Sequence, residues 1–201
     1  MVGVVLGGAG AFGRKHLDAL AQIDDAEVVA IVDPNADLAN EAAEMHGVST
    51  VLPDLAPALE LPGVDAAILT SPTPMHAAQA IQCMDAGKHV EVEIPVADSW
   101  PDTQAVLAKQ QETGLVCMVG HTRRYNPSHQ WLRHRIQAGE LTLQHMDVQT
   151  FFFRRTNTNA LGLPRTWTDH LLWHHSAHTI DLFQYQTGEK VVASNLSLIH
   201  I

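Results

Sequence analysis

Val2-Gly3-Val4-Val5-Leu6-Gly7-Gly8-Ala9-Gly10-Ala11-Phe12-Gly13, with Asp33 following twenty residues later, decides how this chain folds. The apolar, β-branched run over residues 2–6 reads as a strand buried in a parallel sheet. Gly8-Ala9-Gly10-Ala11-Phe12-Gly13 fits a G-x-G-x-x-G turn in which each glycine has its own task. Gly8 makes the tight turn, Gly10 lets backbone approach a pyrophosphate, and Gly13 lets the next helix lie close to the strand. A helix over 11–22 aims its first N–H groups and its dipole at that anion. A second strand, over 27–32, ends in Asp33, whose carboxylate can accept from both hydroxyls of an adenosine ribose. That carboxylate would repel a 2′-phosphate, and no Lys or Arg lies between Asp33 and His46 to neutralise one. The competing reading is a glycine-rich turn without a ligand. Strand, turn, helix, strand and acid in this order favour a dinucleotide site built from Gly8, Gly10, Ala11, Phe12, Gly13 and Asp33, with NAD as the expected cofactor.

Working outward, the first 120 residues alternate between strand and helix patterns. Strands are expected at 2–6, 27–32, 48–51, 64–69, 89–93 and 115–119, and helices near 11–22, 35–46, 54–61, 74–86 and 98–113. Asp54 and Asp98 stand where N-caps belong, and Gly47, Gly87 and Gly114 stand where helices stop. Six strands with helical crossovers predict an α/β Rossmann domain, a doubly wound parallel sheet ordered 3-2-1-4-5-6. Ligands on such sheets bind at the carboxyl ends of the strands. Thr70-Ser71-Pro72-Thr73, Glu93-Ile94-Pro95 and Gly120-His121-Thr122-Arg123-Arg124 all fall at such ends, so they are expected to line one crevice.

The pattern changes near residue 123. A helix is expected over 128–138, a long strand over 143–155, a helix near 170–187 and a terminal strand over 191–201. This reads as a second domain, 123–201, of α+β open-sheet type and incomplete, because the chain stops inside an apolar strand. The first domain is 1–122.

The formal net charge is −10 and unevenly spread. Residues 1–98 carry three Lys or Arg against fifteen Asp or Glu, which disfavours a nucleic-acid partner. No apolar stretch reaches membrane-span length and the chain opens directly on its first strand, so a cytoplasmic protein is expected. Cys83 and Cys117 lack C-x-x-C spacing and read as buried free thiols. Residues 99–201 carry nine Lys or Arg against seven acids, and eight of the thirteen histidines fall between His121 and His178.

Within Trp167–Asp181, a helix would place His170, His174, His178 and Asp181 on one face, at i, i+4, i+8 and i+11. His178 suits a general base that removes a hydroxyl proton as hydride leaves carbon, with His174 assisting and Asp181 orienting the ring or raising its basicity. Two readings compete with this one, a transition-metal site and a purely structural helix. The metal reading lacks a clear third ligand from another element. Arg123 with Arg124, and Arg154 with Arg155, form adjacent pairs at predicted strand ends. Each guanidinium fork matches a carboxylate, so a small substrate bearing carboxylates is favoured over a neutral sugar, although arginines also cap strand ends at surfaces.

Taken together, Gly8–Gly13, Thr70-Ser71-Pro72-Thr73-Pro74-Met75-His76, Lys88-His89-Val90-Glu91-Val92-Glu93-Ile94-Pro95 and His178-Thr179-Ile180-Asp181-Leu182 resemble the Gfo/Idh/MocA oxidoreductase family. The resemblance implies a Rossmann domain joined to an open-sheet domain, homo-oligomers formed through that sheet in the full-length form, and NADP as a second candidate cofactor. It also implies that Thr70, Ser71, Pro72, Thr73 and His76 line the cofactor, and that Glu93, Ile94 and Pro95 border its nicotinamide end. Two departures stand out. Many members have Glu-Lys-Pro where this chain has Glu93-Ile94-Pro95, and many have Asp where it has His174. With His175 beside it, the change from Asp to His suits a substrate that is itself multiply negative. Sugar or inositol oxidation is the alternative within the family, and a non-catalytic dinucleotide-binding regulator is the alternative outside it.

Overall fold

A computed structural model describes residues 1–149, 156, 158, 164 and 176–195. The chain forms two compact units, one containing Met1–Gly120 and a second that begins at His121 and includes the described residues 121–149 and 176–195.

The first unit is a six-stranded parallel sheet ordered β3-β2-β1-β4-β5-β6, as the spacing of strands and helices predicts. Its strands are β1 (Val2–Gly7), β2 (Ala26–Val32), β3 (Val51–Leu52), β4 (Ala66–Leu69), β5 (His89–Val92) and β6 (Cys117–Val119). Between them run α1 (Ala11–Leu20), α2 (Ala36–His46), α3 (Leu55–Leu59), α4 (Thr73–Asp85) and α5 (Trp100–Thr113). Alternation along each strand divides the core between the two faces of the sheet. Val5, Val32, Leu69, Val90 and Val92 pack with residues of α3, α4 and α5. Leu6 and Ile31 pack with Leu17 of α1 and with Ala39, Ala42 and Ala43 of α2. Since Val90 and Val92 occupy the first face, Glu91 and Glu93 fall on the face of α1.

The punctuation is mostly as expected. Gly47 and Gly114 end α2 and α5 in the left-handed conformation. The cap of α5 is Ser99 rather than Asp98. Its Oγ accepts from the Asp102 N–H at 3.2 Å and donates to the Asp102 carboxylate at 2.6 Å. The Ser99 hydroxyl therefore caps the N3 amide of α5 and bonds the Asp102 side chain, from a position that Asp98 is one residue too early to fill. Asp54 precedes α3 without a side-chain capping bond. β3 is confined to Val51–Leu52, the two residues that pair with Ile31 and Val32 of β2, rather than the 48–51 expected from the sequence. Cys83 is buried and Cys117 half-buried, both free. Burial pushes the Cys83 thiol up to about 12, so it stays protonated and inert.

In the second unit a 3-10 helix (Thr122–Tyr125) leads into α6 (Pro127–Gln137), and the last described element is α7 (Ser176–Thr187). α7 packs on α6, with the Gln186 amide donating to the His129 carbonyl at 2.9 Å and the Arg133 guanidinium 4.2 Å over the Tyr185 ring. The strand expected over 143–155 is not formed at residues 143–149, nor is the strand expected over 191–201 formed at 191–195. A β-prone composition becomes a strand only beside a partner, and no described residue pairs with either segment. Residues 150–155 and 196–201, which complete the two expected strands, lie outside the described residues. The same holds for 170–175 of the expected helix.

Candidate functional site

The dinucleotide signature becomes a cradle at the carboxyl edge of the sheet. Gly8 adopts φ +105°, and a Cβ there would lie 2.8 Å from Thr70 Oγ1 and 2.9 Å from the Ser71 nitrogen. At Gly13 a Cβ would stand 1.9 Å from the Gly8 carbonyl oxygen, so α1 reaches the turn only because that residue has no side chain. Gly10 is the opposite case, with nothing within 4 Å of the position a Cβ would occupy. It stands at the N-cap of α1 and offers no capping side chain. The open space therefore borders the uncapped, positive end of a helix, where an anion's oxygens replace the missing cap. A dinucleotide pyrophosphate fits this arrangement.

Asp33 is held at the same turn. Its Oδ2 accepts from the Ala9 N–H and its Oδ1 from the Asn35 N–H, both at 2.8 Å. Two backbone donors fix the carboxylate and leave acceptor positions for ribose hydroxyls. Thr70 Oγ1 donates to the Gly8 carbonyl at 2.7 Å, which ties the end of β4 to the turn.

His76 is placed differently from the expectation that it lines the cofactor. It is 1% exposed, with Nδ1 facing the Pro95 carbonyl and Nε2 the Ser71 carbonyl, each at 2.7 Å. The ring thus stands between the turns after β4 and β5 rather than on their open surface. Glu93 is equally engaged. His16 Nε2 of α1 lies 2.8 Å from Glu93 Oε1, and Oε2 accepts from the Ile94 N–H at 3.3 Å. This bond to Glu93 holds the His16 imidazole above its usual value, opposed by burial and aided by the nearby charges of Glu91 and Glu93. Burial also raises Glu91, whose Oε2 is 3.9 Å from His16 Nδ1. His16 was not foreseen from the sequence. The signal was there in the Val-Glu-Val-Glu alternation of residues 90–93, which turns both carboxylates toward α1.

The second unit gathers a different cluster. Arg124 grips the buried Asp181 with its fork, Nε to Oδ2 at 2.8 Å and Nη2 to Oδ1 at 2.5 Å. Mainly through this bond, the Arg124 guanidinium is raised further above its ordinary value. His121 Nδ1 lies 3.7 Å from Asp181 Oδ2, and the His121 and His178 rings meet edge to face with centroids 6.3 Å apart. Burial lowers His121, against the pull of Asp181. Asp181, expected to tune His178, is therefore paired with Arg124, one of the arginines expected to hold substrate. Arg123 is half-buried in the same 3-10 helix. His174, His175, Arg154 and Arg155 lie outside the described residues. Among the described residues no group of three His, Cys, Asp or Glu is placed to hold a metal ion, and no helix is long and apolar enough to cross a membrane.

Comparison with known proteins follows the same division. Residues 2–121 match the model of an oxidoreductase family with an NAD-binding Rossmann fold, and residues 127–198 match that of a C-terminal region of bacterial oxidoreductases. The chain is 62% identical over 192 residues to 4-carboxy-2-hydroxymuconate-6-semialdehyde dehydrogenase of Sphingobium sp. (strain NBRC 103272 / SYK-6). That match covers 96% of this chain but 61% of the relative. A myo-inositol dehydrogenase of Lactobacillus casei, solved in complex with NAD(H) and myo-inositol, is 30% identical over 69% of this chain and 42% of its own, with a TM-score of 0.66. A solved structure from Thermotoga maritima shares the fold at a TM-score of 0.79 and 24% identity, covering 94% of this chain and 56% of its own.

Proposed function

Because the chain belongs to the Gfo/Idh/MocA oxidoreductase family, with an NAD-binding Rossmann fold over residues 2–121, we propose that it oxidises 4-carboxy-2-hydroxymuconate-6-semialdehyde. The substrate is taken as its cyclic hemiacetal and leaves as 2-pyrone-4,6-dicarboxylate, a step in aromatic catabolism. The observation that carries this reading is the 62% identity across 96% of the chain to a dehydrogenase of that name. NAD, when bound, supplies the hydride acceptor, and Asp33 favours it over NADP.

The residues of the chain divide the remaining work. Gly8, Gly10, Ala11, Phe12 and Gly13 hold the pyrophosphate, Asp33 the adenosine ribose, and Thr70–Thr73 with Glu93–Pro95 the nicotinamide half. His178 accepts the hemiacetal hydroxyl proton, with His174 and His175 beside it as further imidazoles for an anionic substrate. Arg123, Arg154 and Arg155 orient carboxylates for reaction. Arg124 is already bidentate with Asp181, so it acts by fixing α7 at Asp181, three residues beyond His178, and through it the position of that ring. Residues 1–122 serve the cofactor and 123–201 the substrate, in a cytoplasmic homo-oligomer.

A second reading, inositol oxidation, draws on the Lactobacillus casei relative. Against it stand Ile94 in place of the lysine that many members carry, His174 in place of an aspartate, and an arginine content that a neutral polyol does not need. Absorbance at 340 nm decides among the readings, using the 201-residue chain with NAD and either the semialdehyde or a panel of inositols. The proposal expects NADH from the semialdehyde alone. Oxidation of inositol alone would establish the second reading, and NAD binding without any reduction would mark a non-catalytic regulator.

A further inference from the structure

Between Gly8 and Glu93 the first unit contains a closed circuit of polar contacts that joins three turns distant in sequence. His16, on the helix that follows the glycine turn, donates from Nε2 to Glu93 at 2.8 Å. Two residues on, the Pro95 carbonyl faces His76 Nδ1, and His76 Nε2 faces the Ser71 carbonyl, both at 2.7 Å. The neighbouring Thr70 hydroxyl returns to the Gly8 carbonyl at 2.7 Å. Gly13, at the start of α1, packs directly on that same carbonyl. The circuit thus runs from α1 through the turn after β5 and the turn after β4, and back to α1. His16 and Glu93 are each mostly buried, with side-chain exposures of 19% and 15%, so water competes weakly for their bond.

We infer that His16 and His76 are positioning residues of the cofactor site, which lock the glycine turn, the Ser71–Thr73 turn and the Glu93–Pro95 turn into one preformed cradle. Neither ring needs to touch the cofactor. His76 is enclosed, and His16 acts through the carboxylate it holds. Turns that are already fixed bind with less loss of conformational freedom, so the circuit raises dinucleotide affinity without adding a contact. The inference rests on the NAD-binding fold alone and is independent of which substrate the enzyme oxidises.

The test is calorimetric titration of NAD into the full chain without substrate, with thermal melting of each variant as the folding control. His16→Ala removes the donor to Glu93, and His16→Gln returns an amide donor to the same place. NAD affinity is expected to fall about tenfold in His16→Ala and to recover to within about threefold in His16→Gln, while both variants melt cooperatively as folded chains. Thr70→Val opens the circuit at its other end with little change of volume and should weaken NAD to a similar degree. Combined with His16→Ala it should add little, because one break already frees the turns. Hydrogen exchange of the unliganded protein supplies a readout without cofactor, in which the Ile94 amide should exchange faster in both single variants. Unchanged NAD affinity in His16→Ala, additive losses in the double variant, or equal weakening by His16→Ala and His16→Gln would each overturn the inference.

Discussion

At the scale of single residues, the three glycines of the turn are separable by what surrounds them. Gly13 faces a backbone oxygen that no rotation can move aside, so Gly13→Ala is expected to cost about 1–3 kcal/mol of folding stability as well as NAD binding. Gly10 has ordinary helical-entry φ of −69° and free space around its absent Cβ. Gly10→Ala should therefore fold with a melting temperature near that of the unaltered chain and yet bind NAD at least about tenfold more weakly, since the methyl occupies the path of the pyrophosphate. Melting together with calorimetry checks the pair, and equal stability of the two variants would contradict the geometry. His178 carries a different kind of prediction. Its replacement by Ala should lower turnover of the semialdehyde roughly 10²–10⁴-fold, the range for loss of a general base, and leave NAD affinity unchanged. Retained turnover would remove His178 from the role proposed here.

At the scale of elements, two imidazoles place opposite pH dependences on the two units. The bond from α1 to Glu93 raises His16 in the folded chain. A raised value means the folded state holds its proton more tightly, so this stabilisation is complete below about pH 6.5 and is lost as pH climbs through the folded value. Burial lowers His121 between the 3-10 helix and α7. Its contribution has the reverse sign, complete above about pH 6.5 and lost as pH falls through the folded value. Melting curves from pH 5 to 9 should show His16→Gln flattening the alkaline decline and His121→Gln flattening the acid one. The same slopes in variant and unaltered chain would show that these contacts do not persist in solution.

At the scale of the whole molecule, almost all of the buried apolar core belongs to the sheet and its helices. Val5, Leu6, Leu17, Ile31, Leu59, Leu69, Val90 and Val92 lie in the first unit, and Leu182 is the buried aliphatic residue described beyond it. A cradle assembled wholly from residues of Met1–Gly120 should therefore survive without the rest of the chain. A fragment of residues 1–120 is expected to melt cooperatively and bind NAD, while failing to oxidise the semialdehyde because it lacks His178 and the arginines. Circular dichroism and calorimetry on the fragment test this. Loss of NAD binding there would mean that residues beyond 120 complete the cofactor site.

What the sequence determined by itself is whatever depends on short-range periodicity and on steric limits. The succession of six strands with helices between them, the glycine turn with Asp33 beside it, and the stops at Gly47 and Gly114 are local consequences of which residues are apolar and which lack a side chain, and the rules for crossover connections turn that succession into the sheet order. Local reading was less successful where pairing decides the outcome. Residues 143–149 open a segment, 143–155, whose Val, Thr and Phe content reads as a strand, but a ladder requires a second chain segment that composition does not identify. The tertiary structure alone decided the partners of the charged groups. His16 and Glu93, 77 positions apart, meet because a parallel sheet brings α1 over β5. Asp181 turns to Arg124 rather than to His178, because a guanidinium fork satisfies both oxygens of the buried carboxylate at once, which a single ring nitrogen one helical turn away cannot do.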